Sequence, residues 1–253
     1  MYNQFQSRII IIGASGLIGS HLSNELVRNK IKTISTCFSK NLKDMVKFDF
    51  TKDELVNIID SPNEQDIFVI LAAAGNPNWI ANNKDEAYKI NVEATKNLIN
   101  QISKFKSKIY FMSSVEVFDG TQESLLESSK PNPLNYYGET KLIIENYLKA
   151  NYSNYHVIRT GWNTGINLSS RCVIKMTYET LLKENARMAT DNSFTITHVE
   201  DLASSLAKII FTNKRKIIHL CCPEIITRNE LADKIINQIK KKNKMNYKNC
   251  LFS

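Results

Sequence analysis

Residues 9–22 read Ile-Ile-Ile-Ile-Gly-Ala-Ser-Gly-Leu-Ile-Gly-Ser-His-Leu. Four β-branched residues lead into glycines 13, 16 and 19, after which apolar residues recur at helical spacing. The order strand, glycine turn, helix is what a dinucleotide pyrophosphate needs. Gly13 permits the tight turn, Gly16 lets backbone approach the anion, and Gly19 lets helix pack closely on strand. Ser15, Leu17 and Ile18 complete the loop and the first helical turn, whose free N–H groups and dipole favour an anion. A tight turn without a ligand is the plain alternative. A glycine pattern by itself is weak, but the flanking strand and helix make dinucleotide binding the better reading.

Working outward, short apolar runs at 8–12, 31–37, 67–72, 107–113, 155–160 and 216–220 predict strands. Helical patterns fall at 17–29, 52–60, 84–104, 136–150, 172–184, 200–211 and 228–241. This alternation predicts an α/β fold, a Rossmann-type doubly wound parallel sheet covered on both faces. The rhythm breaks at 161–195, so a small C-terminal substrate lobe is expected. The expected division is a dinucleotide-binding core at 1–165 with returning segments 194–220, and a lobe at 166–193 and 221–253.

The second strand decides the nucleotide. An NAD site usually carries a carboxylate about 20 residues on, facing the ribose hydroxyls. Here the run is Ser35-Thr36-Cys37-Phe38-Ser39-Lys40, without a carboxylate. Ser39 and Lys40 suit a 2′-phosphate, so NADP is preferred to NAD. Asp49, after Val46-Lys47-Phe48, is a candidate for the adenine or for the start of a helix.

In a chain of 253 residues with 43% apolar and 23% charged residues, a soluble globular protein is expected. No apolar run reaches a membrane span of roughly 18 residues, and the start lacks a signal-peptide core, so a cytoplasmic location is expected. Five cysteines without framework spacing suit a reducing compartment, and Cys221-Cys222 reads as a buried strand end, with no metal site implied. The net charge of +8 includes a dense run only at Lys240–Lys244, with no interleaved aromatics, which argues against a nucleic-acid surface.

Tyr137 and Lys141 lie four apart in Asn135-Tyr-Tyr-Gly-Glu-Thr-Lys141 and so share a helical face. A free phenol has a pKa near 10; an ammonium beside it favours phenolate and makes it usable in proton transfer. Ser114, ending Ile109-Tyr-Phe-Met-Ser-Ser114, sits where parallel sheets bind ligands and can orient a substrate oxygen. Each feature has an ordinary surface or turn explanation; together, in this order, they read as catalytic.

The motifs GASGLIG, LAAAGNP, NVEATKNL, MSSVEVFDG, NPLNYYGETKLIIENYL, IRTGWNTG and ITHVEDLA make the chain resemble an extended short-chain dehydrogenase/reductase of the nucleotide-sugar epimerase/dehydratase/reductase superfamily. The resemblance implies catalytic roles for Ser114, Tyr137 and Lys141. It implies cofactor roles for Ala72, Ala73 and Ala74 after the third strand, and a supporting role for Asn91 on a proton path to the lysine. It also implies a nucleotide-sugar substrate and a homodimer through the helices at 84–104 and 136–150, with Leu98, Ile102, Ile143 and Tyr147 compatible with either dimer or sheet contacts. Within the superfamily the chain looks most like dTDP-4-dehydrorhamnose reductases, which reduce a 4-keto group with NADPH. Val115 and Glu116 depart from the Asp-Tyr of that branch. A 4-ketoreductase ranks first, an epimerase or a dehydratase/decarboxylase next, and a non-catalytic NADP-binding regulatory protein of the same fold last. Glu116 is a candidate base or a turn residue. Trp162 and Asn163 are candidates for the sugar nucleotide, Arg171 and Arg187 for its diphosphate, and His198 reads as structural.

Overall fold

A computed structural model describes residues 7–38, 42–122, 124–165, 172–190, 192–212 and 215–250. The chain divides into two units, Met1–Thr160 with Val199–Leu220, and Gly161–His198 with Cys221–Ser253.

The larger unit is built on seven parallel strands. They are β1 (Ile9–Ile12), β2 (Thr33–Cys37), β3 (Val46–Lys47), β4 (Ile67–Ile70), β5 (Lys108–Ser114), β6 (Tyr155–Thr160) and, after the excursion, β9 (Ile217–His219). Their spatial order is β3-β2-β1-β4-β5-β6-β9. The chain therefore winds outward from β1 in one direction and from β4 in the other. The reversal between β1 and β4 is the topological switch point, the crevice where such sheets hold ligands.

Alternation along each strand feeds two cores. Ile10, Ile12, Phe68, Ile70, Ile109 and Phe111 pack under α4 (Thr95–Ser103) and α5 (Tyr136–Asn151), meeting Leu98, Ile102, Ile144 and Leu148. Ile9, Ile11, Ile67, Val69, Tyr110 and Met112 face α1 (Leu17–Arg28) and α7 (Val199–Thr212) through Leu22, Leu26, Leu206 and Ile210. Both faces are covered, so consecutive strand residues are all apolar. Each fully buried aliphatic side chain contributes about 1.5–3 kcal/mol. Leu98 and Ile102 are thus spent on the sheet, while Ile143 and Tyr147 are only partly buried against it.

Two expected helices differ. The 52–60 pattern buries Leu55 and Ile59 but forms only a 3₁₀ turn, Leu55–Asn57. Side chains from within and beyond this stretch hold its backbone: Asp53 Oδ2 accepts from Asp49 N, and Gln101 Oε1 from Leu55 N at 2.8 Å. The 84–104 pattern is divided into α3 (Lys84–Tyr88), a π-helical segment (Lys89–Ala94) and α4, preceded by α2 (Pro77–Asn82).

The smaller unit has the strands β7 (Trp162–Thr164), β8 (Ser193–His198) and β10 (Ile225–Thr227), in the order β10-β8-β7, with α6 (Val173–Leu181) and α8 (Arg228–Cys250). Its core is Val173, Ile226 and Leu231 with the flanking Trp162, Phe194 and Ile196. Residues 194–198, expected among the segments 194–220 that return to the core, pair in this unit, β8 running antiparallel to β10 and parallel to β7. Cys221 and Cys222 are half-buried rather than buried, and Cys222 N donates to Thr197 Oγ1.

Candidate active site

The glycine loop follows β1 at the switch point. Gly13 has φ 91°, and a Cβ there would lie 2.8 Å from the Ala72 nitrogen. At Gly19 a Cβ would lie 2.5 Å from the Gly13 carbonyl oxygen and 2.7 Å from the Ala14 Cα, so helix and turn touch with no room for a side chain. Gly16 caps α1 without any side-chain acceptor, and no acidic residue occupies the first turn. Free first-turn N–H groups and the positive end of a helix dipole favour an anion. Ser15, Leu17 and Ile18 line the same turn, half-buried.

Thr36, a residue the sequence did not single out, ties this loop to β2. Its hydroxyl donates to Ile11 O at 3.0 Å and accepts from Gly13 N at 3.1 Å. The end of β2 presents Thr36, Cys37 and the exposed Phe38. Ser39 and Lys40 lie outside the described residues. Asp49 forms a local turn, its Oδ1 accepting from Thr51 N and Oγ1.

Beyond β4, Ala72, Ala73 and Ala74 are half-buried. Asn91, 4% exposed in the π-helical segment, holds Ala74 by both backbone groups: its Oδ1 accepts from Ala74 N at 2.8 Å and its Nδ2 donates to Ala74 O at 2.9 Å. Its amide also reaches Thr140 Oγ1 at 3.4 Å. The asparagine thus fixes the loop after β4 against α5. A π-helical turn, commonly found at functional sites, aims it there.

At the end of β5, Ser114 is buried, and its Oγ accepts from Glu116 N at 3.2 Å, starting the turn Val115–Val117. Glu116 turns away to Asn135, whose amide donates to Glu116 Oε2. Asn135 is the N-cap of α5, its Oδ1 accepting from Gly138 N at 2.9 Å. A Cβ on Gly138 would collide with the Glu116 carbonyl oxygen. The first turn of α5, bearing Tyr137, therefore packs directly on the turn that follows Ser114.

One turn on, Lys141 is 4% exposed. Its Nζ donates to Met112 O at 2.8 Å and lies 4.8 Å from the Phe111 ring centroid and 5.6 Å from that of Tyr137. Burial pushes its pKa down to about 8, against the upward pull of Glu145. Among the described residues the Met112 carbonyl takes one of the ammonium's donors, which leaves others for a ligand hydroxyl.

In the second unit taken by itself, the Trp162 ring lies 5.2 Å from the Arg228 guanidinium and meets Phe194 edge-on at 6.3 Å. Its ring is engaged in that unit's own core, a use the sequence reading did not assign to it. Asn163 donates to Gly161 O at 3.1 Å. Arg187 is exposed, and Arg171 lies outside the described residues. Among the described residues no cluster of His, Cys, Asp or Glu is arranged to hold a metal, and no helix is long and apolar enough to cross a membrane.

The sequence model of the RmlD substrate binding domain matches residues 7–249. The chain belongs to this family. Solved structures of similar fold include a hypothetical dTDP-4-dehydrorhamnose reductase from Sulfolobus tokodaii. It has TM-score 0.76 and 29% identity, over 91% of this chain and 82% of that one. The dTDP-4-dehydrorhamnose reductase of Bacillus anthracis, solved in complex with NADP, has TM-score 0.77 and 25% identity over 94% and 82%. The resemblance to extended short-chain dehydrogenase/reductases thus holds for this RmlD-family chain in both sequence and fold. Among curated proteins, methionine adenosyltransferase 2 subunit beta of Bos taurus is 31% identical over 148 residues, 56% of this chain and 44% of that protein. The chain therefore spans less than half the length of that relative. The Xenopus laevis protein of the same name is 25% identical over 233 residues, 89% of this chain and 70% of that protein.

Proposed function

We propose that the chain is an NADP-dependent reductase of a 4-keto 6-deoxy nucleotide sugar. The observation that carries this reading is the buried Lys141 ammonium, 5.6 Å from the Tyr137 ring on the same helical face. When bound, the reduced nicotinamide supplies a hydride to the carbonyl carbon. Gly13, Gly16 and Gly19 with the first turn of α1 would hold the pyrophosphate, and Ala72–Ala74 would line the cofactor's path beyond β4. Tyr137 gives its phenolic proton to the carbonyl oxygen as that oxygen gains charge. Lys141, desolvated and charged, stabilises the phenolate left behind and would hold the cofactor's ribose through a hydrogen bond. The Ser114 oxygen accepts from Glu116 N, which leaves its own proton to donate to the substrate oxygen in this reading. The lack of a carboxylate in Thr36-Cys37-Phe38 and the NADP bound to the Bacillus anthracis relative support NADP over NAD.

Glu116 serves in this reading as a brace for the α5 cap and not as a base, which argues for reduction over dehydration. A second reading is favoured by the curated relatives named as a methionine adenosyltransferase subunit: an NADP-binding subunit that partners another enzyme without turnover. A homodimer is proposed through the outer side of α4 and α5, where Ile143 and Tyr147 remain partly exposed. NADPH consumption with a 4-keto nucleotide sugar separates the readings. A reductase consumes cofactor stoichiometrically and loses this with Tyr137→Phe. An epimerase converts substrate without net consumption, and a binding subunit does neither.

A further inference from the structure

Beneath Tyr137 and Lys141 lies an ion pair that the proposed chemistry does not use. Glu145 is 6% exposed and Arg159 2%. Glu145 Oε1 accepts from Ser113 Oγ at 2.5 Å and from Arg159 Nε at 3.0 Å, while Oε2 accepts from Arg159 Nη2 at 2.6 Å. Arg159 Nη1 lies 3.4 Å from both Glu127 O and His219 Nε2, and its guanidinium rests 4.9 Å from the Phe118 ring. Desolvation makes such a pair a poor source of stability; well-packed apolar residues of similar volume often do as well. Its place in the fold points to another use. Residues 137, 141 and 145 stand one turn apart on one face of α5. Ser113, which holds the carboxylate, directly precedes Ser114.

We propose that Glu145 is a positioning residue: clamped by Ser113 and Arg159, its carboxylate keeps Lys141 charged and aimed between the Met112 carbonyl and the Tyr137 ring. The proposal rests on the reading of Tyr137 and Lys141 as the proton-transfer pair. The groups that face this pocket are Tyr137 and Glu145 from α5, Arg159 and Tyr155 from β6, and His219 from β9, with Phe111, Met112 O and Ser113 from β5 and, beyond Arg159 and beside His219, Glu127. Of these, Glu145 supplies the negative charge that opposes the desolvation of Lys141. His219 is pushed toward its neutral form by burial and by Arg159, so it adds no second positive charge beside Arg159 near neutral pH.

The test is an NMR titration of side-chain-labelled lysine in the full chain, with the Lys141 signal assigned from Lys141→Met. Glu145→Gln lowers the Lys141 midpoint by about 1–3 units, the range for loss of a close opposite charge. Arg159→Met, which unmasks the carboxylate, raises it. The double variant, Glu145→Gln with Arg159→Met, removes both charges of the buried pair together, so neither is left without its partner, and it serves where a single variant does not fold. Its midpoint still falls below that of the wild type, because Glu145 is the charge that acts on Lys141. A midpoint in the double variant equal to or above wild type overturns the proposal. With turnover present, the alkaline limb of kcat moves with the midpoint, and a limb that stays in place overturns the positioning role. If the wild type has no turnover, the midpoints still decide the matter for Glu145, and only the reductase reading is lost.

Discussion

Replacing Gly13 with alanine tests the phosphate loop at its tightest point. Two costs add. At φ 91° an L side chain is strained by about 1–2 kcal/mol. The new Cβ also meets Ala72 at 2.8 Å from N, 2.9 Å from Cα and 3.0 Å from Cβ. That backbone cannot retreat freely, because Ala72 N donates to Ile12 O at 3.0 Å. Overpacking of this kind costs about 1–3 kcal/mol, so the sum is about 2–5 kcal/mol. Gly120 is the internal control: its φ is 72°, but a Cβ there meets nothing within 4 Å. Gly120→Ala should therefore show the conformational cost alone, about 1–2 kcal/mol. Urea unfolding followed by circular dichroism, with and without NADP, measures both quantities. NADP at 100 times its Kd stabilises the wild type by about 2.7 kcal/mol, and Gly13→Ala should lose that increment because Ala72 and the pyrophosphate turn shift together. A loss below about 1 kcal/mol in Gly13→Ala, with the NADP increment intact, would refute the close approach of loop and strand.

Asn91→Ala strips both backbone groups of the half-buried Ala74 of their partners, which should cost about 1–3 kcal/mol in unfolding free energy and weaken NADP binding measured by calorimetry. Wild-type affinity and stability in that variant would remove Asn91 from the site. Glu116→Gln keeps an acceptor for Asn135 and leaves the reacting groups untouched, so kcat should stay within about tenfold of wild type, the most that losing one side-chain hydrogen bond of about 0.5–1.5 kcal/mol would cost. A drop of orders of magnitude would return Glu116 to the role of base.

The sequence made the nucleotide end of the fold legible because its constraints are local. A turn with no room for side chains must be glycine, and a buried strand must be apolar on both faces, so residues 9–22 announce themselves. The spacing of Tyr137 and Lys141 was equally readable. Glu145 stood in the same stripe four residues later and could have been found by extending it. The contacts that span the chain were not readable. Nothing near Thr36 shows that its hydroxyl bridges β1 and the glycine turn, and nothing near Gln101 shows that it will claim the N–H of Leu55. The strands of the smaller unit escaped notice because each is short and partly polar, so their pairing comes from tertiary context and not from a periodic pattern. Trp162 read as a ligand residue because an isolated tryptophan in a loop-like stretch gives no sign that Phe194 and Arg228 will enclose it.

The measurement that bears most directly on the whole account is the absorbance of NADPH mixed with the full chain and a 4-keto 6-deoxy nucleotide sugar, run beside Tyr137→Phe under conditions where both bind NADPH equally. The account predicts steady oxidation of NADPH by the wild type and a rate lower by about 100-fold or more in the variant, the scale of a lost general acid. Equal rates in the two proteins would contradict it.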